Sequence, residues 1–271
     1  MHSLRKLLDF YINSSIHVAL SVYALVRMTQ FLFPISNDNA VAYFAFFGTM
    51  VGYNFVKYDA LTRTKKVQMG NQLKGIVVLS FLSLLATAYF FFKLELLTQV
   101  IATSFLLLTM LYTLPFFPNK SNARNWAGIK IYIVTLCWVG VTLFLPIINS
   151  GIQFNLDVFL VAIQRFILVF VLTLIFEIID LQTDDPHLLT VPQQIGVVRT
   201  KITGSLLLFV FICLSFFDTN FNYPTLLLKL GIAATVFLFL LFANEKRSNY
   251  YTSFWAESVP ILWWVLLLIF K

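Results

Sequence analysis

Glu177, Asp180 and Asp184 stand three and four residues apart in the stretch IFEIIDLQTDDPHLLTVP, residues 175–192. On a helix continuing out of a membrane these three carboxylates share one face. Carboxylates stacked in this way repel one another and are poorly solvated at a membrane boundary. A divalent cation offsets both costs, and hard oxygen donors suit Mg²⁺, above all when substrate phosphates complete its shell. The same residues also read as a solvated acidic loop, and a DxxxD spacing alone does not decide between the two.

The elements that must position these carboxylates are membrane helices. Of the 271 residues, 59% are hydrophobic and 11% charged. Soluble domains carry roughly 25% charged residues, so an ordinary soluble globule is excluded. The apolar stretches are continuous rather than alternating and approach the ~20 residues a bilayer requires, which favours a helical bundle over a barrel. Hydropathy predicts an all-α bundle of about nine transmembrane helices, at about 10–33, 38–58, 74–92, 96–114, 128–147, 156–179, 202–217, 224–243 and 254–270. No soluble domain or low-complexity tract interrupts them, so residues 1–271 read as a single transmembrane domain. Cys137 and Cys213 fall in different spans and read as small apolar side chains.

Charge sets the expected orientation. Arg5, Lys6, Lys57, Arg63, Lys65, Lys66, Lys74, Lys120, Arg124, Lys130, Arg199, Lys201, Lys246 and Arg247 all fall on one side if the chain crosses at each span. The other side holds Lys93, Lys229 and Lys271. The positive-inside rule then predicts a cytoplasmic N-terminus and an outside C-terminus, in a multi-pass protein of a bacterial cytoplasmic membrane with its active face cytoplasmic. The net charge of +7 is thereby an orientation signal and an attraction to anionic membrane lipid, not a sign of nucleic-acid binding. The first apolar run has no small-residue cleavage site after it and reads as a retained helix.

Other polar groups gather at the same side. Asn54 and Asp59 close the second span, ahead of Lys65 and Lys66; they read either as oxygen donors with basic phosphate partners or as a loop obeying the charge rule. Tyr112 and Lys120 mark the exit of the fourth span and Lys130 the start of the fifth. A tyrosine there also suits the interfacial belt, and a lysine there holds a diphosphate or sits among headgroups. Arg27 reads as a snorkelling charge, His17 as a packing residue, and Glu257 as a residue bordering its helix. Carboxylates, Mg²⁺ and basic residues converging beneath apolar helices are chemistry for a lipid diphosphate, whose developing charge on leaving must be met by metal and Lys/Arg.

At these residues the chain resembles the UbiA superfamily of intramembrane prenyltransferases. EIIDLQTDDPHLLTVPQQIGVVRTK is similar to the family's second acidic motif, with Asp180, Asp184, Thr190, Pro192, Gly196 and Arg199 in its positions. LYTLPFFPNK followed by GIK is similar to the family's exit from the fourth helix and the lysine after it. The first family motif, Asn-Asp-x-x-Asp-x-x-x-Asp, is altered: Asn54 is present, Phe55 and Tyr58 replace the first two aspartates, Asp59 is displaced by one residue, and Thr62 replaces the third. A one-residue displacement turns a helical side chain by about 100°.

The resemblance implies Mg²⁺-dependent transfer of a prenyl chain from a polyprenyl diphosphate to an aromatic or lipid acceptor. It implies Asp180, Asp184 and Tyr112 as catalytic residues. Asp180, Asp184, Glu177 and Asp59 would serve the metal, with Asp185 in support. Asn54, Lys65, Lys66, Lys120, Lys130 and Arg199 would contact the diphosphate. The altered first motif also fits a second class: a catalytically impaired relative that binds an isoprenoid lipid or acts as a membrane scaffold. A transporter is less supported, since no inverted repeat or pair of interrupted half-helices is evident.

Overall fold

The computed structural model describes residues 2–35, 39–64, 70–113, 128–219 and 221–270. Among them every regular element is helical. α1 (His2–Asn13) and α2 (Ile16–Leu32) meet at a bend of 59°. α3 (Asn39–Thr64), α4 (Asn71–Phe91) and α5 (Leu96–Thr113) follow. α6 (Lys130–Val139) runs through a π-turn at Gly140–Phe144 into α7 (Leu145–Asn149). α8 (Leu156–Ile179) is central, α9 (Val191–Ile195) is a short surface turn, and α10 (Val197–Cys213) and α11 (Tyr223–Phe242) return across. A second π-turn, Tyr251–Ala256, leads into α12 (Val259–Ile269).

Helices occupy all nine of the predicted places. Among the described residues six are long and apolar enough to cross a membrane, seven if the bent α1–α2 pair is one span. α3 does not meet that standard, and the part of α5 whose side chains are described, Leu96–Met110, is a shorter apolar helix. The fall is local in cause: α3 carries Asn54 and Lys57 within its last turns, where the chain leaves the apolar layer.

α8 holds the bundle together. Its N-terminus is fixed by Asn155, whose side chain accepts from Val158 N at 3.0 Å, satisfying one of the orphan donors of a helix start. Leu168, Val171, Leu174, Ile175 and Ile178 are each fully buried. Leu168, Val171, Ile175 and Ile178 pack in one cluster with Leu25 and Met28 of α2, Phe211 of α10, Val236 and Leu240 of α11, and Val259 of α12, while Leu174 packs with Ile131 of α6 and Phe170. α4 shows the opposite pattern, with Val78, Phe81, Leu85 and Tyr89 more than half exposed or close to it, as expected for a helix bathed in lipid rather than water.

The π-turn in the fifth span has a visible cause. Pro146 lacks a backbone N–H and would clash in an uninterrupted α-helix, and the widened turn ahead of it absorbs the mismatch. Gly140 opens the turn where α5 approaches closely: a Cβ built there would lie 2.0 Å from Phe105 Cζ. Gly140→Ala is therefore expected to destabilise by about 1–3 kcal/mol, the usual range for overpacking. A lowered midpoint in a detergent melting series, recovered by Phe105→Leu, checks it.

Two polar clusters sit far from the acidic loop. Arg165 is 2% exposed, and its Nη1 donates to Thr29 Oγ1 (2.6 Å) and to the Thr142 carbonyl (2.8 Å). This buried guanidinium cross-links α2, the π-turn and α8. Lys229 donates to Gln164 Oε1 at 3.1 Å and pairs with Asp218 at 3.5 Å. Arg27 reaches Gln30 (3.0 Å) and Asn39 (2.8 Å) and joins α2 to the start of α3.

Candidate active site

α8 does not continue through the acidic stretch, so Glu177, Asp180 and Asp184 do not share one helical face as the spacing predicted. The helix ends at Ile179, and Asp180 begins a 3₁₀ turn. The Asp180 carbonyl accepts from Thr183 N and from Asp184 N, both at 2.8 Å. This tight turn keeps Asp184 one turn beyond Asp180, within electrostatic range of it. A second short turn, Pro186–Leu188, is capped by Asp185, whose Oδ1 accepts from His187 N at 2.9 Å. Asp185 is thus engaged in shaping the loop.

Lys130, the first residue of α6, lies across the loop with its Nζ 3.4 Å from Asp184 Oδ2. Gly128 sets that approach. Its N–H donates to the Leu188 carbonyl at 3.0 Å, tying the start of α6 to the acidic loop, and its φ of 71° lies in the left-handed region that glycine tolerates best. Glu177 and Asp180 both lie within electrostatic range of Asp184 and Lys130. Three carboxylates and one lysine therefore form a single charged set at the end of α8. Glu177 is 2% exposed, and its Oε2 accepts from Val191 N at 3.0 Å, which anchors α9. α9 in turn carries Gln193, whose side chain accepts from Thr190 N at 2.8 Å. Arg199 is exposed two residues into α10.

The donor set determines what this loop can hold. Among the described residues no group of three His, Cys, Asp or Glu side chains is placed to hold a metal ion. Glu177 commits an oxygen to Val191, leaving Asp180 and Asp184 as the pair with free acceptor capacity. Two carboxylates fit Mg²⁺ in the way this ion is commonly bound, by one or two carboxylates with substrate phosphates and water filling the remainder. They do not make an all-protein cage. Lys130 meets part of the same negative charge in the structure as it stands.

The second predicted wall, at the end of α3, is organised for packing. Asn54 is 4% exposed. Its Oδ1 accepts from Ser15 Oγ at 2.8 Å, and its Nδ2 donates to the Ser14 carbonyl (3.0 Å) and to Ser80 Oγ (2.8 Å). These bonds fasten the α1–α2 bend to α3 and α4, at a point where Ser15 has a left-handed φ of 61°. Tyr58 Oη donates to the Asn13 carbonyl at 2.9 Å, and Lys57 Nζ to Asn13 Oδ1 at 3.0 Å. Phe55, 43% exposed, faces outward beside them. Asp59 and Tyr112 lie on the backbones of α3 and α5, and their side chains fall outside the described residues, as do Lys65, Lys66 and Lys120 altogether.

The sequence reading gave little weight to two groups that the fold places in the bundle. His17 is 3% exposed and hydrogen-bonded on both ring nitrogens, to Tyr11 Oη (2.8 Å) and to the Phe254 carbonyl (2.9 Å). Glu257 follows the second π-turn, within electrostatic range of Lys57 and Tyr11. The signal available beforehand was an acidic residue inside an apolar run, WAESVPILWW, a rare and costly placement in a membrane.

The whole architecture has counterparts among solved structures. The chain aligns with a digeranylgeranylglyceryl phosphate synthase studied in membranes, at a TM-score of 0.57 and 15% identity, over 100% of this chain and 97% of that one. It aligns with a UbiA homolog from Archaeoglobus fulgidus, bound to Cd²⁺, at a TM-score of 0.59 and 10% identity, over 95% of this chain and 98% of the other. No protein-family model and no curated protein matches the sequence. The protein is a polytopic membrane protein with the UbiA fold, in agreement with the resemblance drawn from its acidic loop.

Proposed function

We propose that this protein is an intramembrane prenyltransferase, moving a prenyl chain from a polyprenyl diphosphate to an aromatic or lipid acceptor with the help of Mg²⁺. One observation carries the reading: the carboxylates Asp180 and Asp184 are folded together beside Lys130 at the end of the most buried helix. The chain works as one domain over residues 1–271, with this loop on the cytoplasmic face, where the basic residues accumulate.

The diphosphate docks at the α8 loop. Lys130 moves from Asp184 towards phosphate oxygens, and Arg199, with Lys65, Lys66 and Lys120 from the adjoining loops, adds positive charge. Asp180 and Asp184 would hold Mg²⁺, which when bound would supply charge neutralisation for the leaving pyrophosphate. The allylic carbon–oxygen bond breaks, its electron pair departs with the pyrophosphate, and the acceptor closes on the carbon left behind. Glu177 orients the loop through Val191. Asn54 serves as the anchor of the opposite wall. The apolar helices shield the carbocation from water.

A second reading is favoured by a separate observation. Asn54 and Tyr58 are committed to holding α1 and α2, so the first motif contributes fewer ligands than in a two-sided site. That suits a relative that binds an isoprenoid diphosphate, or holds an isoprenoid in a membrane assembly, without transferring it. Purified protein in lipid, given farnesyl or geranylgeranyl diphosphate, Mg²⁺ and aromatic or glycerol-type acceptors, separates the two. Pyrophosphate release with product formation is the expected result. Diphosphate binding without release points to the holding role, and absence of binding removes the enzyme reading.

A further inference from the structure

Apart from the acidic loop, α1 and residues 248–253 enclose a cleft of about 470 Å³. Asp9 and Asn13 line one wall, and Ser248, Asn249, Tyr250 and Ser253 the other. The cleft lies at the membrane boundary. α1 is bent by 59° from α2, and Leu7, on the face of α1 away from Asp9, is 69% exposed. An apolar face turned outwards and a polar face turned to the cleft suit a helix lying along a membrane surface. Three residues ahead of Ser248, Glu245 accepts from Gln182 of the α8 loop at 2.6 Å, so the second wall stands where the chain leaves the bundle. Lipid headgroups occupy that level.

The hydrogen bonds of the lining leave a defined set of groups unused. Tyr250 Oη donates to Asp9 Oδ1, and Oδ2 has no partner among the described residues. Lys57 Nζ donates to Asn13 Oδ1 at 3.0 Å. An ammonium only donates, so this bond fixes the amide's orientation and leaves its NH₂ as an unused donor. The Asn249 side chain makes no hydrogen bond among the described residues, and Ser248 Oγ accepts from Tyr250 N at 3.4 Å while keeping its own proton. One carboxylate oxygen therefore stands with two amide donors. A vicinal diol uses such a set fully, one hydroxyl donating to the carboxylate and the other accepting from an amide. Charge completes the ligand's description. Arg5 lies four residues before Asp9 on the same face of α1 and has no hydrogen bond or ion pair among the described residues. Lys6, Lys57, Lys246 and Arg247 add positive charge around both walls. That excess repels an ammonium headgroup and attracts a phosphate, which a guanidinium takes by two parallel bonds.

We propose that this cleft binds the glycerol-phosphate headgroup of an anionic phospholipid. The terminal diol sits between Asp9 and the amides of Asn13 and Asn249, and the phosphodiester lies beside Arg5. The bound headgroup joins α1 to residues 248–253 and so braces the bent first helix against the last span. The site is separate from prenyl transfer and stands whether or not the α8 loop is catalytic. Glycerol phosphate free in solution carries the same chemistry, and attachment to the membrane is what favours the lipid at a cleft of this depth.

The test titrates detergent-purified full-length protein with short-chain phosphatidylglycerol and phosphatidylpropanol, and reads binding by native mass spectrometry. Phosphatidylpropanol keeps the phosphodiester and loses both hydroxyls. Wild-type protein is expected to bind phosphatidylglycerol about tenfold or more tightly, as for a hydrogen bond to a charged group. Asp9→Asn, which keeps an acceptor for Tyr250, is expected to bring the two lipids to equal affinity. Arg5→Gln is expected to weaken both lipids alike and to leave their ratio in place. Equal binding of the two lipids by the wild type overturns the proposal without recourse to any variant, as does a preference that survives Asp9→Asn. An Arg5→Gln variant that binds both lipids as the wild type does overturns the placement of the phosphate. Free glycerol phosphate binding as tightly as phosphatidylglycerol assigns the cleft to a soluble ligand and overturns the lipid.

Discussion

Asp180→Asn combined with Asp184→Asn is expected to abolish Mg²⁺-dependent binding of farnesyl diphosphate and to leave the melting midpoint almost in place. The two carboxylates are the acceptors of the α8 loop with capacity to spare, since Glu177 gives an oxygen to Val191 N at 3.0 Å and Asp185 caps the next turn. Removing outer-shell partners of a metal typically costs 10–100-fold in affinity. Removing both carboxylates that face the ion should exceed that, so a loss of more than about a hundredfold is the expected reading in a titration of Mg²⁺ against bound diphosphate. The structural cost is small. Lys130–Asp184 is an ion pair near the surface, worth about 0.2–1 kcal/mol, and the turn is held by the Asp180 main-chain carbonyl, which asparagine retains. Unchanged Mg²⁺ dependence in a folded double variant would remove the metal from this loop.

The largest stability effect is expected at Asn54, where Asn54→Ala should unfold the corner joining α1, α2, α3 and α4. The substitution takes the acceptor from Ser15 Oγ and the donor from the Ser14 carbonyl, both buried. A buried polar group left unpaired costs about 1–3 kcal/mol. The strained left-handed Ser15 would also lose the bond that holds it. Asn54→Asp distinguishes this structural role from a ligand role. A carboxylate keeps the acceptor for Ser15 but turns a second oxygen towards the Ser14 carbonyl, so the midpoint should again fall. If Asn54 were instead a metal ligand, aspartate would strengthen Mg²⁺ binding and leave the midpoint unchanged. Apparent midpoints in detergent, at one heating rate, provide the comparison.

The local Gly140→Ala prediction and these two variants sample three different origins of order: steric fit between α5 and the π-turn, charge at the α8 loop, and hydrogen bonding at the α1–α2 bend. Only the second is expected to alter diphosphate binding directly. That contrast guards against mistaking a folding defect for a lost ligand.

The sequence by itself determined the all-helical membrane architecture, because hydropathy and continuous apolar runs are properties of neighbours along the chain. The sixth expected span, 156–179, coincides with α8 at Leu156–Ile179, and the acidic stretch stands at its end as its composition required. The same local information located Lys130 and Asn54 near the ends of their helices but could not say what they touch. Lys130 meets Asp184 across 54 residues of chain, Asn54 meets Ser15 across 39, and Ser258 meets His17 across 241. Those partners are chosen by how helices pack, and helical periodicity carries no information about a neighbour that far away. The continuing helix that spacing implied likewise gives way at Asp180 to a 3₁₀ turn closed on the Asp180 carbonyl, which satisfies backbone groups past the end of α8. Glu257 acquires its surroundings only when a π-turn in the last span meets α1, α2 and α3.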